Sequence, residues 1–431
     1  MELITKAPKG TADILPAKSN QWQIVEMVMK SEAELNGFSE VRTPVFEHTE
    51  LFLRGVGDTT DVVEKQMYTF EDKGGRSITL RPEGTAGAAR AMLESGMYNN
   101  GYPVKLYYNT TCYRYEKPQA GRMREFRQFG VEMFGAAEAT ADAQVIAMAM
   151  SVLERLGLQN IILKLNSIGC PSCRATYHKA LKEYFEQYKD QLCSTCVSRL
   201  DRNPMRILDC KSPVCAEIAK DAPKILDYIC EDCRKHFEEV QTCLKAVDID
   251  FEIDSSIVRG LDYYTRTVFE FVSTDIGAQG AVGGGGRYDG LVEQLGGNPT
   301  PGIGYAMGLD RILLVLAAQG VELPEPEPCE VYIASMNKEA NTKAFALTNE
   351  LHRCGIFADC DLCGRGLKAQ MKYANKIGAR FTIVLGEEEL AGGKANLKNM
   401  KNGEVTSISL GDDFVDHYIT AVTTADNLFS E

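Results

Sequence analysis

The chain has no uncharged apolar run of the 18 residues that a membrane span requires. Its first ten residues, Met1 to Gly10, contain no apolar signal core. These two absences predict a soluble, cytoplasmic protein with no membrane contact. Positive charge is also scarce: 47 Lys and Arg stand against 60 Asp and Glu, a net charge of −13. A protein so charged does not coat nucleic acid indiscriminately, so any RNA or DNA contact has to come from a local patch. No Walker-type Gly-x4-Gly-Lys-Ser/Thr occurs. The glycine-rich stretch Gly302-Ile-Gly-Tyr-Ala-Met-Gly308 has Gly-x-Gly-x-x-x-Gly spacing, which is not the dinucleotide fingerprint. The usual phosphate-binding loops are therefore missing. With 44% apolar and 25% charged residues, disorder and fibrous repeats are excluded as well.

Cysteine, by contrast, is plentiful: 14 residues, nine of them between Cys170 and Cys243. A large chain without an export signal points to thiols or a metal rather than disulfides. Cys170-Pro-Ser-Cys173 and Cys193-Ser-Thr-Cys196 are separated by 19 residues, inside the window for a four-cysteine zinc site. Cys210, Cys215, Cys230 and Cys233 offer a second set, and unpaired thiols are the competing reading. Cys360-Asp-Leu-Cys363 stands alone.

The length of 431 residues suggests about three domains. Residues 19–37 read as a helix capped by Ser19 or Asn20 and ended by Gly37. Residues 38–47 read as a strand, which Pro44 confines to an edge or an interface. Two long strands, 104–116 and 125–135, flank a polar loop, and 142–157 is an apolar helix. Strands at 257–272 and 278–288 follow, and Gly302 to Gly320 runs from glycine-rich chain into a helix. This order predicts an α+β fold on an antiparallel sheet. Leu323-Pro-Glu-Pro-Glu-Pro-Cys329 is a stiff linker, so residues 1–323 form one domain, 323–328 the linker and 329–431 another. In 329–431 strands alternate with helices, which predicts a small α/β domain of the βαβ type. The cysteine-rich stretch 170–250 reads as a mainly helical insertion into the first domain.

Several polar constellations interrupt these elements. On one hairpin strand Arg114 and Glu116 share a face; on the other, Gln128, Gly130 and Glu132 do. A polar face with glycine at its middle suggests a ligand lying on the sheet, against the alternative of a solvated face. The hairpin loop carries Lys117, Gln119, Arg122 and Arg124, a composition suited to phosphates. Arg81-Pro-Glu-Gly-Thr85 sets a carboxylate and a hydroxyl beside a glycine turn. Arg259-Gly-Leu-Asp-Tyr-Tyr264 joins a cation to two aromatic hydroxyls. In the last domain Arg365, Lys368, Lys372, Lys376 and Arg380 recur at helical spacing, with no acidic residue between Asp361 and Glu387. The competing reading is a solvated helix face.

Taken in order, these stretches resemble histidyl-tRNA synthetases of the bacterial type, within the class II aminoacyl-tRNA synthetases. Residues 37–48 with Pro44 resemble motif 1, 107–135 with Tyr113-Arg-Tyr-Glu116 motif 2, and 302–311 ending in Arg311 motif 3. Arg259 to Tyr264 resembles the histidine-specific motif. The resemblance implies ATP-dependent ligation of L-histidine to tRNA(His) through an adenylate, with Mg2+ accompanying ATP, and a homodimer. It implies that Glu83, Gly84, Thr85, Gln128, Glu132, Tyr263 and Tyr264 bind histidine. Arg114 would bind the α-phosphate and the carboxylate, and Arg259 would stabilise the reacting phosphorus. Glu116 would meet the adenine edge or its ribose surroundings, and Arg311 the γ-phosphate. Lys117, Gln119, Arg122 and Arg124, with Lys368, Lys372 and Lys376 of an anticodon-binding domain, would meet tRNA. Zinc is not required for this chemistry.

Overall fold

The computed structural model describes residues 4–56, 60, 62–210, 212–258, 261–277 and 280–427. The chain divides into two compact units at Pro324/Glu325. The first is built on a sheet that has eight strands among the described residues. Edge to edge they are Ser39–Glu40, Val104–Tyr113, Glu125–Phe134, Gly302–Gly308, Ala281–Arg287, Thr265–Ser273, Ile161–Ser167 and Glu252–Ile253. The six inner strands are mutually antiparallel, and each short edge strand runs parallel to its neighbour.

Strand alternation divides the side chains between two environments. From Glu125–Phe134, residues Phe129, Val131 and Met133 enter an apolar cluster with the helices Pro16–Leu35, Ala139–Arg155 and Leu309–Ala318. Gln128, Gly130 and Glu132 point to the opposite face. The register places Glu132 between Leu106 and Gly304, Gly130 between Tyr108 and Ala306, and Gln128 between Thr110 and Gly308.

Three expectations need correction. The strand predicted over 38–47 is two strands, Ser39–Glu40 in the large sheet and Phe46–His48 in a three-stranded sheet. Between them Arg81 binds the carbonyl oxygens of Thr43 (2.8 Å) and Pro44 (3.2 Å), where a ladder partner would otherwise stand. The strand predicted over 257–272 begins only at Thr265. The cysteine grouping is also different. Cys170 and Cys173 gather with Cys230 and Cys233, while Cys193 and Cys196 gather with Cys210 and Cys215. The set Cys170, Cys173, Cys193 and Cys196 does not form. Its two halves are separated by the 16-residue helix Pro171–Glu186, which carries the chain about 24 Å away.

The insertion is mainly helical, with Pro171–Glu186, Ser194–Arg199, Pro213–Lys220 and Glu231–Ala246. Proline opens the first and third of these, where its missing N–H costs nothing. Its Tyr177, Leu181, Phe185, Ile207 and Ile225 share one buried cluster with Leu106, Phe134, Val268 and Tyr288 of the large sheet and its flanks. The insertion thus has no separate core: most of it packs onto the polar-site side of the sheet, while Phe237, Val240 and Leu244 of its last helix join the apolar cluster of the opposite face.

In the second unit a five-stranded sheet runs Ala358–Cys360, Val331–Ser335, Phe381–Leu385, Lys394–Asn399 and Val405–Ser409. The first three strands are parallel, as expected of βαβ units. The last two add antiparallel and make the sheet mixed.

Candidate active site

Glu132 is the centre of the polar face and is only 1% exposed. Its Oε1 accepts from the Thr85 hydroxyl at 2.7 Å and the Tyr108 hydroxyl at 2.9 Å, and its Oε2 accepts from the Tyr288 hydroxyl. Burial pushes its pKa up to about 8, against the pull of these donors. The approach of these groups requires glycine on both neighbouring positions. A Cβ on Gly304 would sit 2.1 Å from Glu132 Oε2, and one on Gly130 would sit 2.3 Å from the Tyr108 hydroxyl. Gly130 therefore makes room for a tyrosine rather than for a ligand lying on the sheet. Tyr263 packs against this floor, with ring centroids 4.6 Å from Tyr264 and 5.6 Å from Tyr288. Burial raises the Tyr108, Tyr263 and Tyr288 phenols well above their ordinary range, so all three remain hydroxyl donors at neutral pH.

A second carboxylate stands beside the floor. Glu83 precedes the helix Thr85–Glu94, and its oxygens accept from the amides of Thr85 (2.7 Å) and Ala86 (2.9 Å). These are amides that a helix start leaves without partners. Burial raises the Glu83 pKa, while the two amides and Arg114 oppose the rise. Gln128 Oε1 accepts from the Gly84 amide at 3.2 Å, which ties the hairpin to this turn. Arg114 reaches across the same turn, with Nε 2.8 Å from the Pro82 carbonyl and its guanidinium over the Phe126 ring at 5.3 Å. The structure thus gathers Glu83, Gly84, Thr85, Arg114, Gln128, Glu132, Tyr263 and Tyr264 around one place. Arg259 lies outside the described residues.

The hairpin loop closes next to this place. Glu116 is buried and ion-paired with Arg122. Arg124 stacks on the Tyr115 ring at 3.9 Å, and its Nε meets the Glu116 carbonyl at 3.1 Å. Lys117, Gln119 and Arg122 are exposed and help line a cleft of about 350 Å³. Arg311 binds the carbonyls of Gly121 (3.1 Å) and Ala281 (2.5 Å), so the loop tip and the start of the helix Leu309–Ala318 are held together.

The family model for histidyl-tRNA synthetase matches residues 10–312, and that for the anticodon-binding domain matches residues 330–416. This chain belongs to the histidyl-tRNA synthetase family. It is 54% identical to the histidine–tRNA ligase of Caldanaerobacter subterraneus subsp. tengcongensis over 410 residues, covering 95% of this chain and 98% of that one. Identity to the histidine–tRNA ligase of Acetivibrio thermocellus is 54% over 408 residues, with the same coverage. A crystal structure of apo S. aureus histidyl-tRNA synthetase superimposes with a TM-score of 0.82 at 40% identity, covering 96% of this chain and all of that one.

Sequence reasoning missed Tyr108 and Tyr288, which complete the floor. Both become visible once the register is known, because Tyr108 lies opposite Gly130 and Tyr288 directly follows the strand Ala281–Arg287. It also missed a buried support behind the site. Asp142 is paired with Arg287 and accepts from Thr267 at 2.7 Å, with His236 of the insertion also at 2.7 Å. Burial pushes the Asp142 carboxyl up, but His236 and Arg287 outweigh this and hold it below its ordinary range. In the anticodon-binding unit, Lys368, Lys372 and Lys376 lie exposed on the helix Leu367–Lys376, while its Gln370 and Ala374 are buried. Arg365 stacks on Tyr373 at 4.5 Å, and Arg380 lies over Phe381 at 5.5 Å.

Proposed function

We propose that this site performs ATP-dependent ligation of L-histidine to tRNA(His) through a histidyl-adenylate, with release of AMP and pyrophosphate, and we assign roles to its residues. The observation that carries the assignment is the Glu132 floor. Before histidine enters, burial keeps Glu132 protonated. Once an imidazole enters and draws that proton off, the carboxylate offers about four lone-pair sites, of which three hydroxyls take three and an imidazole N–H the fourth. A site that leaves a buried polar group unpaired when the wrong side chain enters rejects apolar analogues strongly. Tyr263 and Tyr264 line the same end. Glu83, with two sites used by amides, keeps about two for the α-ammonium group, and Gln128 supports it.

The chemistry asks for placement and charge. The histidine carboxylate attacks the α-phosphorus in line and pyrophosphate leaves, so preorganised cations do most of the work. Arg114, fixed by Pro82 and Phe126, takes the α-phosphate and carboxylate; Arg259 takes the reacting phosphorus; Arg311 takes the γ-phosphate, with Mg2+ entering as the ATP complex. Glu116 serves the adenine and ribose side. The acyl group then passes to the terminal ribose hydroxyl of the tRNA, met by Lys117, Gln119, Arg122 and Arg124, while Lys368, Lys372 and Lys376 meet its anticodon arm. The catalytic domain is 1–323, interrupted by 170–250, and 329–431 is the anticodon-binding domain.

The chain acts as a homodimer in the cytoplasm. Val45, Phe46 and Phe70 of the small three-stranded sheet and its approach are exposed, which supports a subunit interface there. No helix of the described residues is long and apolar enough to cross a membrane. Any zinc in the cysteine-rich insertion is structural and takes no part in adenylate formation.

ATP–pyrophosphate exchange measured with each of the twenty amino acids tests the reading. Exchange with histidine alone is expected. Exchange driven by another amino acid, or none with histidine, contradicts it.

A further inference from the structure

Eight of the nine cysteines of the insertion fall into two sets of four, and in each set the sulfurs lie within 4.8 Å of one another. All are free thiols. The separations are 3.5 Å for Cys170–Cys173, 4.0 Å for Cys173–Cys233 and 3.8 Å for Cys193–Cys210. Zn–S bonds of about 2.3 Å in a tetrahedron imply S···S edges of about 3.8 Å. Disulfides would bring the sulfurs to about 2 Å. A multi-iron cluster would spread its thiolates over different irons, farther apart than these sets allow.

We propose that the insertion holds two structural zinc(II) ions, one bound by Cys170, Cys173, Cys230 and Cys233 and the other by Cys193, Cys196, Cys210 and Cys215. Each set is already arranged for thiolates. Cys170 and Cys230 directly precede the helices Pro171–Glu186 and Glu231–Ala246, and Cys173 and Cys233 lie in the first turns, so two helix starts face one group of sulfurs. The Cys230 amide donates to Cys173 Sγ at 3.0 Å. In the second set the Cys193 amide donates to Cys215 Sγ at 3.2 Å, and the Ser212 amide to Cys210 Sγ at 3.5 Å. Amide donors to sulfur orient ligands and offset their charge. Four soft sulfur ligands with no histidine or carboxylate select zinc, and four protein ligands leave no open position, which makes the sites structural. Binding releases the thiol protons to water.

The first ion ties together the two ends of the insertion. Cys170 and Cys173 follow the sheet strand Ile161–Ser167, and Cys230 and Cys233 open the helix that returns the chain to that sheet. The second ion pins the tip. From this clamp Arg174 donates to the carbonyls of Tyr264 (3.0 Å) and Asp262 (3.4 Å), and Asn203 donates to Asp262 Oδ1 at 3.1 Å. The metal sites therefore hold the segment that presents Tyr263 and Tyr264.

The test is metal analysis of the purified full-length chain after exhaustive dialysis, read independently of activity. Two zinc ions per chain are expected. Cys170→Ser with Cys230→Ser should leave one, and Cys170→Ser with Cys193→Ser should leave none. Cys360→Ser with Cys363→Ser should leave two. Cobalt(II) exchanged into the unmodified chain should give the intense visible and near-ultraviolet bands of tetrahedral thiolate sites, a readout that does not depend on variants folding. One zinc or fewer per folded chain, iron in its place, or equal zinc loss from the Cys170/Cys230 and Cys170/Cys193 double variants would overturn the proposal.

Discussion

The Glu132 floor and the cysteine clusters of the insertion are both convergent groups of reactive side chains, the first buried and the second half-buried, and they are built by opposite means. The floor is made by strand register: glycine at two neighbouring positions lets hydroxyls from three segments converge on one carboxylate. The cysteine groups are made largely by helix starts: two Cys-x-x-Cys turns meet in the first set, and one such turn meets Cys210 and Cys215 in the second. A sheet supplies rigidity of itself, because each strand is bonded to neighbours on both sides. The insertion is helical and shares its apolar cluster with the sheet. Such a region gains most from a cross-link, since folding alone leaves little to offset its chain entropy.

The largest expected effect is on the chemistry that the floor serves. Arg259→His should lower the rate of adenylate formation by about a thousandfold or more, because a fixed cation at the reacting phosphorus acts mainly in the transition state. Single-turnover measurement of adenylate checks this; a loss confined to histidine affinity would refute the role. Next comes the anticodon-binding unit, which belongs to neither region. Lys372→Glu with Lys376→Glu should reduce aminoacylation kcat/KM by about tenfold and flatten its salt dependence, while ATP–pyrophosphate exchange stays unchanged. Exchange falling in parallel would make the stripe structural. Smaller again, Arg174→Ala should raise KM for histidine by about fivefold with KM for ATP unchanged, because it loosens the clamp and leaves the floor intact. Equal changes in both constants would dissociate the insertion from histidine recognition.

The smallest effect is on stability. The folded-state pKa of Glu132, about 8, lies above its ordinary 4.5, so the native chain holds an extra proton between those values. The contribution is complete below about pH 4.5 and is lost as the pH rises through about 8. Relative to Glu132→Gln, the unmodified chain should therefore lose stability between pH 6 and pH 8.5, as read by denaturant midpoints. A constant difference across that range would place the proton elsewhere.

Legibility in the sequence differed in the same way as the construction. Alternation along Glu125–Phe134 put Gln128 and Glu132 on one face without any knowledge of the fold, and the hairpin ends were near 104–113 and 125–134. Tyr108 and Tyr288 were not legible, because they reach Glu132 only through a pairing register that local pattern does not encode. The purpose of Gly130 was misread for the same reason: the space it leaves is filled by Tyr108. Cysteine spacing revealed the capacity for two four-sulfur groups but not their membership, since that depends on where the helix Pro171–Glu186 carries the chain. The break near Pro44 depended on Arg81, a side chain 37 residues away from Pro44.

The central claim is that Glu132 is the group that recognises the imidazole. Steady-state exchange kinetics of Glu132→Gln test it most directly. The account predicts a rise of about a hundredfold or more in KM for histidine, with KM for ATP within about twofold of the unmodified chain. Equal rises in both constants, or histidine affinity left intact, would contradict it.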